Sequence, residues 1–389
     1  MLEALRARVV EAGDPQARAI ALIELAEAEP TFGHRQAIVR GLLHDAAALV
    51  DKLGQPALEG RVLLRLAYVK LADGDLEGAE QLASRARDRL AGDTFRQLEA
   101  SVLLVRAAIR RHQFADAEGM LRDLAPDSEP DTTPIAARAG AALALAWAEL
   151  ALEQQDYETA SERLHVLDHA ARTDGSLDEV AFTCWQMTAL ADLAVGKFVQ
   201  ACAAMREVVA LAKKYSANED EIEARLGLAG ALGEKGDPIN LDEAEKHLQI
   251  ARDRALEAGL DSLHAAALVA QAGLMARKGQ TRAALDRCIE VAQLAVARQD
   301  LAKYGAAVGI MAQIYEQKGD LASAYRTFAE ANASLRETIG ERAKDVILPY
   351  MMAFADRIGR SKFAEIAEQV NKAAHARAAF QRTSGKHNR

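Results

Sequence analysis

The chain has 389 residues, half of them hydrophobic, and its formal net charge is −9 at pH 7. An acidic chain lacks the basic surface with which general nucleic-acid binders displace counterions from phosphates. Aromatic residues make up only 5% of the chain and there are eight prolines, a composition that favours helix over strand throughout. We therefore expect an all-α protein that does not bind nucleic acid.

The first 58 residues predict two or three helices, including DPQARAIALIELAEAE and RQAIVRGLLHDAAALVDKLG. The N-terminal stretch MLEALRARVVEAGD alternates charged with apolar residues and has no continuous apolar run. It therefore predicts neither a signal peptide nor a membrane span. We interpret residues 1–58 as a degenerate first repeat or a cap.

From there on one short pattern recurs, consisting of a helix, a Gly-Asp-like turn, an apolar residue and an alanine three positions later. The clearest copies are GDLEGA, starting at Gly74, and GDLASA, starting at Gly319. Weaker copies are HQFADA, QDYETA, GKFVQA, NLDEA and GQTRAA, and the alanines of all seven are Ala79, Ala117, Ala160, Ala201, Ala244, Ala284 and Ala324. Their spacing of about 41 residues is typical of a repeat protein.

Each repeat predicts two antiparallel helices. In the last copy, apolar or small residues recur at helical spacing on both sides of the turn. Gly319 ends the first helix and Asp320 caps the second. One hairpin cannot bury both its faces, so we expect successive hairpins to stack.

The last copy carries a small residue and an aromatic in its first helix, a Gly-Asp turn, and alanine, a large apolar residue and alanine in its second. The residues concerned are Ala312, Tyr315, Gly319, Asp320, Ala324, Phe328 and Ala331. A second copy carries Trp185, Ala189, Gly196, Phe198, Ala201 and Met205. These residues resemble the tetratricopeptide repeat family, with Leu321 in place of the aromatic residue after the turn.

The resemblance covers about residues 60–340, or seven repeats. The period of about 41 residues is longer than the usual 34 and is similar to that of kinesin light chains and of bacterial regulators with helical sensor domains. The resemblance implies a right-handed α-solenoid of antiparallel helix hairpins. We assign the repeats to residues 59–340.

The pattern loosens after Gly340. A helix interrupted by Pro349 and a second helix from about 361 to 380 predict C-terminal capping helices over residues 341–380. Residues 381–389 contain basic residues and no acidic one, and we expect a disordered basic tail.

The glycine-rich stretch RLGLAGALGEKGD does not predict a phosphate loop, because Lys235 is followed by glycine rather than by serine or threonine. In the repeat alignment it forms the first helix and turn of one unit. Two roles remain open for Gly227 and Gly230. They allow a neighbouring helix to approach closely, or they leave space in the groove for a partner's side chain.

Catalytic chemistry has little support in the sequence. His165 and His169 are one helical turn apart, the spacing of helical zinc sites, but a third ligand and a water-activating carboxylate would be needed. The alternative is a polar helix edge.

The cysteines Cys184, Cys202 and Cys288 have no paired spacing and predict reduced structural thiols in a cytoplasmic protein. We expect no enzyme activity, no cofactor and no metal.

The resemblance implies that the first helices of successive repeats line a concave groove that holds a segment of a partner protein. Alignment of the repeats on their turns gives the predicted groove residues. They are Arg61, Arg65, Tyr68, Arg106, Arg110, Glu149, Glu153, Gln186, Gly227, Gly230, Arg277, Gln313, Glu316 and Gln317.

Arg61, Arg65, Arg106 and Arg110 lie in two adjacent repeats and are expected to converge at one end of the groove. Guanidinium groups bind carboxylates in forked geometry, so an acidic peptide or an exposed C-terminus is the expected partner. The alternative is that these arginines pair with Glu99 and other neighbours at a solvated face.

Three functions stay open. The first is a non-catalytic adaptor or scaffold that binds a protein segment. The second is a regulator that senses a peptide, although the DNA-binding helix-turn-helix of similar bacterial regulators is not evident before residue 60. The third is a metal-dependent hydrolase that uses the two-histidine helix. Self-association through the solenoid ends is also open. The composition, rich in alanine and arginine and poor in lysine, is typical of a bacterium with a GC-rich genome.

Overall fold

The computed structural model of the chain describes residues 2–31, 35–124, 134–173, 177–235 and 237–384. All regular secondary structure in these ranges is helical, which confirms the predicted all-α class. The α-helices are α1 (Leu2–Glu11), α2 (Pro15–Ala28), α3 (Arg35–Leu53), α4 (Pro56–Ala72), α5 (Leu76–Arg89), α6 (Thr94–Arg110), α7 (Phe114–Asp123), α8 (Pro134–Glu153), α9 (Tyr157–Thr173), α10 (Asp178–Ala194), α11 (Phe198–Lys214), α12 (Asn218–Lys235), α13 (Pro238–Glu257), α14 (Asp261–Arg277), α15 (Thr281–Arg298), α16 (Leu301–Gln317), α17 (Leu321–Ile339), α18 (Ala343–Ile358) and α19 (Arg360–Ser384).

The recurring turn has the predicted backbone geometry. Gly74 and Gly319 have φ values of 78° and 76°, in the left-handed region that glycine adopts without a steric penalty. The next residues cap the following helices, since Asp75 and Asp320 accept hydrogen bonds from backbone amides three positions later. In two weaker copies His112 and Gln155 hold the glycine position, with φ values of 59° and 62°. The turn geometry is thus kept without glycine.

The alanines that define the repeat are core residues. Each of the seven is at most 1% exposed. A small side chain at this position lets the second helix of a hairpin lie close to the helices before and after it. In the first hairpin, for example, Ala79 and Ala83 pack in one cluster with Leu64 of α4 and Leu103 of α6. The stacked helix hairpins of the prediction are confirmed.

The chain divides into two compact units, residues 1–224 and 225–389, with the division inside α12. The first unit begins with α1 to α3, which precede the hairpins α4–α5, α6–α7, α8–α9 and α10–α11. The sequence did not predict this division, and the assignment of residues 1–58 to a degenerate repeat or cap stays a prediction.

The second unit ends in two helices that pack on α17. Phe354 of α18 lies 5.8 Å from Phe328 of α17 between ring centroids, and Phe363 of α19 lies 5.5 Å from Tyr325. The predicted interruption at Pro349 is wrong, because α18 continues through it. Helix α19 extends to Ser384, into the predicted disordered tail, and residues 385–389 lie outside the described residues.

Across the described helices, none combines the length and the apolar character needed to cross a lipid bilayer.

Candidate functional site: a charged cavity in the first unit

The first unit contains a cavity of about 720 Å³. The first helices of its hairpins, α4, α6, α8 and α10, supply most of the lining. The rest comes from α1, α2 and the residues directly after it, α3, Tyr215 after α11, and the start of α12. Six of the predicted groove residues line this cavity, namely Arg61, Arg65, Tyr68, Arg106, Arg110 and Gln186. The structure therefore brings together side chains from three of the predicted first helices.

The other predicted residues lie elsewhere. Glu149 of α8 is an ion-pair partner of Arg106, and Glu153 is exposed at the end of the same helix. The remaining six, Gly227, Gly230, Arg277, Gln313, Glu316 and Gln317, belong to the second unit. The groove residues as a whole stay a prediction.

The two arginines of α4 are already paired with carboxylates. Arg61 donates two hydrogen bonds to Glu27 of α2, at 2.9 and 2.7 Å. Arg65 is only 6% exposed. Its Nη1 lies 2.7 Å from Glu179 Oε2 of α10, and its other nitrogens donate to the backbone carbonyls of Ala26 and Glu29.

The two arginines of α6 share one carboxylate. Arg106 Nε donates to Glu149 Oε2 at 2.6 Å, and Arg110 Nε donates to Oε1 of the same side chain at 3.3 Å. Glu99, the partner named in the sequence alternative, pairs with Arg138 instead. All four arginines predicted for an acidic partner thus have a carboxylate of their own chain. Arg61, Arg65 and Arg106 are mostly buried, whereas Arg110 lies at the exposed edge of the cavity.

These pairs hold their charges despite burial. Burial raises the pKa of Glu149 and Glu179. Arg106 and Arg110 together outweigh burial at Glu149, and Arg65, Thr31 and Arg138 together outweigh it at Glu179, so both pKa values lie below the ordinary 4.5. Burial lowers the pKa of Arg106, but Glu149, with smaller effects of Tyr68 and Glu179, raises it by more in total and leaves it above its usual range. The cavity is therefore lined by fixed charges of both signs near neutral pH.

Three polar groups of the lining have no protein partner among the described residues. They are the Nη atoms of Arg106, the hydroxyl of Tyr68 and the side-chain amide of Gln186. Burial, followed by the negative charges of Glu99 and Glu179, raises the pKa of Tyr68, so its hydroxyl stays protonated. Each of the three side chains can donate a hydrogen bond, and they come from α6, α4 and α10 respectively.

Asp220, at the start of α12, adds an unpaired acid to the lining. Its Oδ2 atom is buried without a hydrogen-bond partner. Burial, and then the nearby charge of Glu223, raises the pKa of Asp220 to about 6. This carboxyl group therefore changes its charge close to neutral pH, unlike the paired carboxylates around it.

Thr31, shortly after α2, and Arg35, the first residue of α3, contact residues far along the chain. Thr31 donates a hydrogen bond to Glu179, and Arg35 Nε donates to the backbone carbonyl of Tyr215 at 3.0 Å. Arg35 also pairs with the buried Glu29 at 3.0 Å. These contacts join the beginning of the first unit to α10 and to the residue after α11, and so close the wall of the cavity.

Sequence reasoning missed several cavity residues. Chief among them are Glu27, Glu99, Arg138, Glu179 and Asp220. A signal was available for three of them. Glu99 precedes Arg106 by seven residues, Arg138 precedes Glu149 by eleven, and Glu179 precedes Gln186 by seven, so each continues the inner row of its helix towards the N-terminus. No sequence spacing indicates that Glu27 meets Arg61.

The glycines of α12 differ in the space around them. A Cβ atom added at Gly230 meets nothing within 4 Å, so Gly230 does not serve close helix packing. At Gly233 a Cβ would lie 2.9 Å from Arg277 Nη1, and Arg277 pairs with Glu234. Gly236 lies outside the described residues. The open space at Gly230 is compatible with the second role, room for a partner.

The remaining predicted residues lie on α16. Glu316 forms an ion pair with Arg357 of α18, with Oε2 and Nη2 2.8 Å apart. Gln313 and Gln317 are exposed. Glu316 thus contributes to the attachment of a C-terminal helix.

The two-histidine helix gives no metal site among the described residues. His165 Nε2 lies 3.3 Å from Asp192 Oδ1, and the side chain of His169 falls outside the described part. Asp192 is fully buried and also accepts a hydrogen bond from Ser161 at 2.8 Å. In the described ranges no three His, Cys, Asp or Glu side chains are grouped as metal ligands.

The three cysteines are buried and free. Burial raises the pKa of Cys184 to about 11 and that of Cys288 to about 12, so both stay protonated and poorly nucleophilic. This is the behaviour expected of structural thiols.

No protein-family model matches the chain, and no curated protein matches it in sequence. Solved structures with the same fold are found. The chain is similar to a Signal Transduction ATPase with Numerous Domains protein with a tetratricopeptide repeat sensor from Pyrococcus horikoshii, at 12% identity and a TM-score of 0.58. That match covers 96% of this chain and 55% of the other, so the chain spans about half the length of that protein.

Two further structures belong to Rap proteins. The apo form of RapI is 10% identical, with a TM-score of 0.58 over 82% of this chain and 87% of that one. A Rap protein complexed with Competence and Sporulation Factor is 16% identical, with a TM-score of 0.50 over 84% and 96%. Similarity at this level of identity concerns the fold, and the fold of this chain is an α-solenoid of the tetratricopeptide repeat type.

Proposed function

We propose that this protein is a non-catalytic interaction module that binds a segment of another protein, or a short peptide, in the cavity of its first unit. The observation that carries the proposal is the set of unpaired donors on Tyr68, Arg106 and Gln186, which line one cavity from three helices. Polar groups fixed by a rigid scaffold and left without a protein partner are typical of a ligand site.

The size of the cavity limits the ligand. A volume of about 720 Å³ is within the range of sites that enclose small ligands. A peptide of a few residues, or the terminus of a longer chain, fits this volume better than a long extended segment does. We therefore propose a short peptide or a chain end as the bound element.

The sequence predicted an acidic partner, and the ion pairs in the cavity limit how many carboxylates that partner can carry. Because Arg61 and Arg65 are held by Glu27 and Glu179, a strongly acidic segment would have to break existing ion pairs. The free Nη atoms of Arg106, together with Tyr68 and Gln186, suffice for a single carboxylate group. A ligand with one carboxylate, such as a free C-terminus, is the form of acidic partner that we propose.

A role as a peptide sensor is the second candidate. It is supported by the contacts of Thr31 and Arg35 with Glu179 and Tyr215, because a ligand between these elements would shift their packing. It is also in keeping with the neighbours, one described as a sensor and one as complexed with Competence and Sporulation Factor. Binding and sensing would use the same cavity.

The other expectations belong to the same proposal. We infer a cytoplasmic protein of bacterial origin with a protein or peptide partner, no nucleic-acid ligand, no cofactor and no enzymatic reaction. The net charge of −9 and the buried free thiols support this assignment. Sedimentation velocity across a range of concentrations tests self-association through the solenoid ends.

A comparison of free and amidated peptides tests the proposal directly. The probe is a defined pool of fluorescent pentapeptides with free C-termini, and the same pool with amidated C-termini, measured by fluorescence polarisation. We expect binders in the free pool to lose about tenfold in affinity on amidation, since charge-assisted hydrogen bonds are lost. Arg106→Gln should reduce binding similarly, whereas Arg111→Gln, at the end of α6 and paired with Glu80, should not.

If no peptide binds the wild-type protein more tightly than it binds the Arg106→Gln variant, the cavity is not the binding site. Arg106→Gln leaves Glu149 with Arg110 alone and so lowers stability. Gln186→Leu provides a second variant, since the amide of Gln186 has no protein partner within the described ranges. Loss of binding in both variants with an intact fold would support the assignment.

A further inference from the structure

Helix α1, Leu2–Glu11, lies against the cavity without joining the core. None of its residues is buried. It still contacts three parts of the first unit. Leu2 packs against a cluster that includes Phe182 and Trp185 of α10, Leu5 lines the cavity, and Val9 packs against the core of α2 to α4. The helix thus extends from one wall of the cavity to the other.

Two ion pairs hold α1 to α2 and to the residue that follows it. Arg6 Nη2 lies 2.7 Å from Glu29 Oε1, and Arg8 Nη1 lies 2.6 Å from Glu24 Oε2. Both arginines are at least half exposed, whereas Glu29 is completely buried. The surface under α1 therefore combines apolar contacts with two acidic side chains, and α1 supplies the complementary arginines.

Removal of α1 leaves few uncompensated groups. Glu29 keeps its ion pair with Arg35 at 3.0 Å, so its buried carboxylate is not left without a cation. No hydrophobic core residue is lost, because the side chains of α1 remain partly in solvent. A helix of ten residues is also marginal in isolation. Glu24 loses its ion pair with Arg8. The structure of α1 therefore depends on the surface beneath it far more than that surface depends on α1.

We propose that α1 is a displaceable strap over the cavity. In the docked position it supplies part of the cavity wall through Leu5, and in the released position it opens the cavity. The surface that it covers accepts an amphipathic helix with apolar residues at positions i, i+3 and i+7 and arginines at i+4 and i+6, the spacing of Leu2, Leu5, Val9, Arg6 and Arg8. This inference concerns access to the cavity, and it can be tested without any cavity ligand.

The test supplies the strap in trans. The probe is a fluorescein-labelled peptide with the sequence of residues 2–13, LEALRARVVEAG. It is titrated against the full-length wild type and against the full-length double variant Leu2→Asp/Leu5→Asp, whose own α1 is released. We expect the variant to bind the peptide at least about tenfold more tightly, because the tethered α1 of the wild type competes at a high effective concentration.

Val10→Asp is the matched control. Val10 lies on the same helix but is 85% exposed, so this variant should bind the peptide as weakly as the wild type. Circular dichroism and the melting temperature should show that both variants keep their fold. A peptide that carries Arg6→Glu and Arg8→Glu should bind the double variant weakly, because it would place acidic residues beside Glu24 and Glu29.

Equal binding of the peptide by wild type and double variant would overturn the proposal, and so would failure to bind either. If the double variant does not fold, hydrogen exchange of the backbone amides in the wild-type protein tests the proposal instead. A displaceable strap predicts that amides of α1 exchange at least about a hundredfold faster than those of α4. Equal protection of the two helices would contradict it.

Discussion

Arg65 of α4 and Glu179 of α10 form an ion pair of 2.7 Å across the cavity of the first unit. Their helices belong to different hairpins, with α6 to α9 between them in the chain. Thr31 donates a hydrogen bond to the same carboxylate. Three parts of the chain that are remote in sequence therefore meet at one side chain, and Glu179 is a main attachment between them.

Glu179→Gln should destabilise the first unit. Arg65 would retain its hydrogen bonds to Ala26 and Glu29 but lose its buried counter-ion. Breaking one side of a buried pair costs about 3–5 kcal/mol, and less when one partner retains some contact with solvent. We expect a loss of about 2–4 kcal/mol in the free energy of unfolding, measured by urea denaturation at pH 7.

The control for this variant is Glu158→Gln, an exposed glutamate of α9, which should change stability by less than about 0.5 kcal/mol. The pKa of Glu179 is lowered from 4.5, so its stabilising effect is present above pH 4.5 and is lost as the pH falls through its lower folded value. The difference between variant and wild type should shrink at acid pH. A difference that is constant with pH would refute the ionic role.

Tyr68→Phe separates binding from folding. The hydroxyl of Tyr68 has no protein partner among the described residues, so its removal should leave the free energy of unfolding within about 0.5 kcal/mol of wild type. The affinity for carboxylate peptides should fall by about fivefold to tenfold, the value of one hydrogen bond. Fluorescence polarisation measures the affinity, with Tyr157→Phe as a control outside the cavity. Unchanged affinity would exclude the Tyr68 hydroxyl from the site.

Asp220→Asn should stabilise the protein near neutral pH. The pKa of Asp220 is raised from 3.8 to about 6 in the folded state, so the folded protein binds its proton more tightly than the unfolded chain does. The penalty of its charge is therefore fully present above pH 6 and is relieved as the pH falls towards 3.8. We expect a gain of about 1–2 kcal/mol at pH 7, after allowance for partial exposure, and almost none at pH 4.

Urea unfolding followed by tryptophan fluorescence measures this change, since Trp147 and Trp185, the two tryptophans of the chain, both belong to the first unit. Glu158→Gln, at an exposed position of α9, serves as the control. A stability difference that grows as the pH falls would have the wrong sign and would contradict the raised pKa.

Gln155→Gly should stabilise the turn between α8 and α9. Gln155 has a φ of 62°, which costs a residue with a side chain about 1–2 kcal/mol relative to glycine. Glycine loses part of this gain through its greater freedom in the unfolded chain. We expect a net increase of about 0.5–1 kcal/mol in the free energy of unfolding by urea denaturation. Gln154→Gly, at the preceding exposed position, should lower stability instead.

Gly309→Ala should weaken the attachment of α18 in the second unit. A Cβ at Gly309 would lie 2.7 Å from Tyr350 Cδ1, so the ring of Tyr350 must move. We expect a loss of about 1–3 kcal/mol, the usual cost of overpacking. Gly230→Ala meets nothing within 4 Å and should raise helix stability by up to about 1 kcal/mol. Calorimetry of the two variants should show melting temperatures that shift in opposite directions.

Much of the fold follows from local sequence. The turn from Gly319 to Asp320, and the buried alanines such as Ala79 and Ala324, depend on residues within one hairpin, and these features recur at a fixed period. Helix caps, left-handed turns and the inner row of each first helix are local properties of this kind. For this reason Arg61, Tyr68 and Arg106, which the sequence predicts on the inner faces of their helices, line one cavity in the structure.

The state of those side chains depends on contacts that no local pattern encodes. Arg65 occurs in the sequence as one of several arginines, yet in the structure it is buried between Glu179 and the carbonyls of Ala26 and Glu29. Whether an arginine is free or paired depends on which remote helices meet, and that is set by the curvature accumulated over several hairpins. Local patterns thus predict the helices, their turns and their inner faces. The enclosure of the cavity, the pairing of its charges and the position of α1 beside it depend on distances between residues far apart in the chain, so they are visible only in the folded molecule.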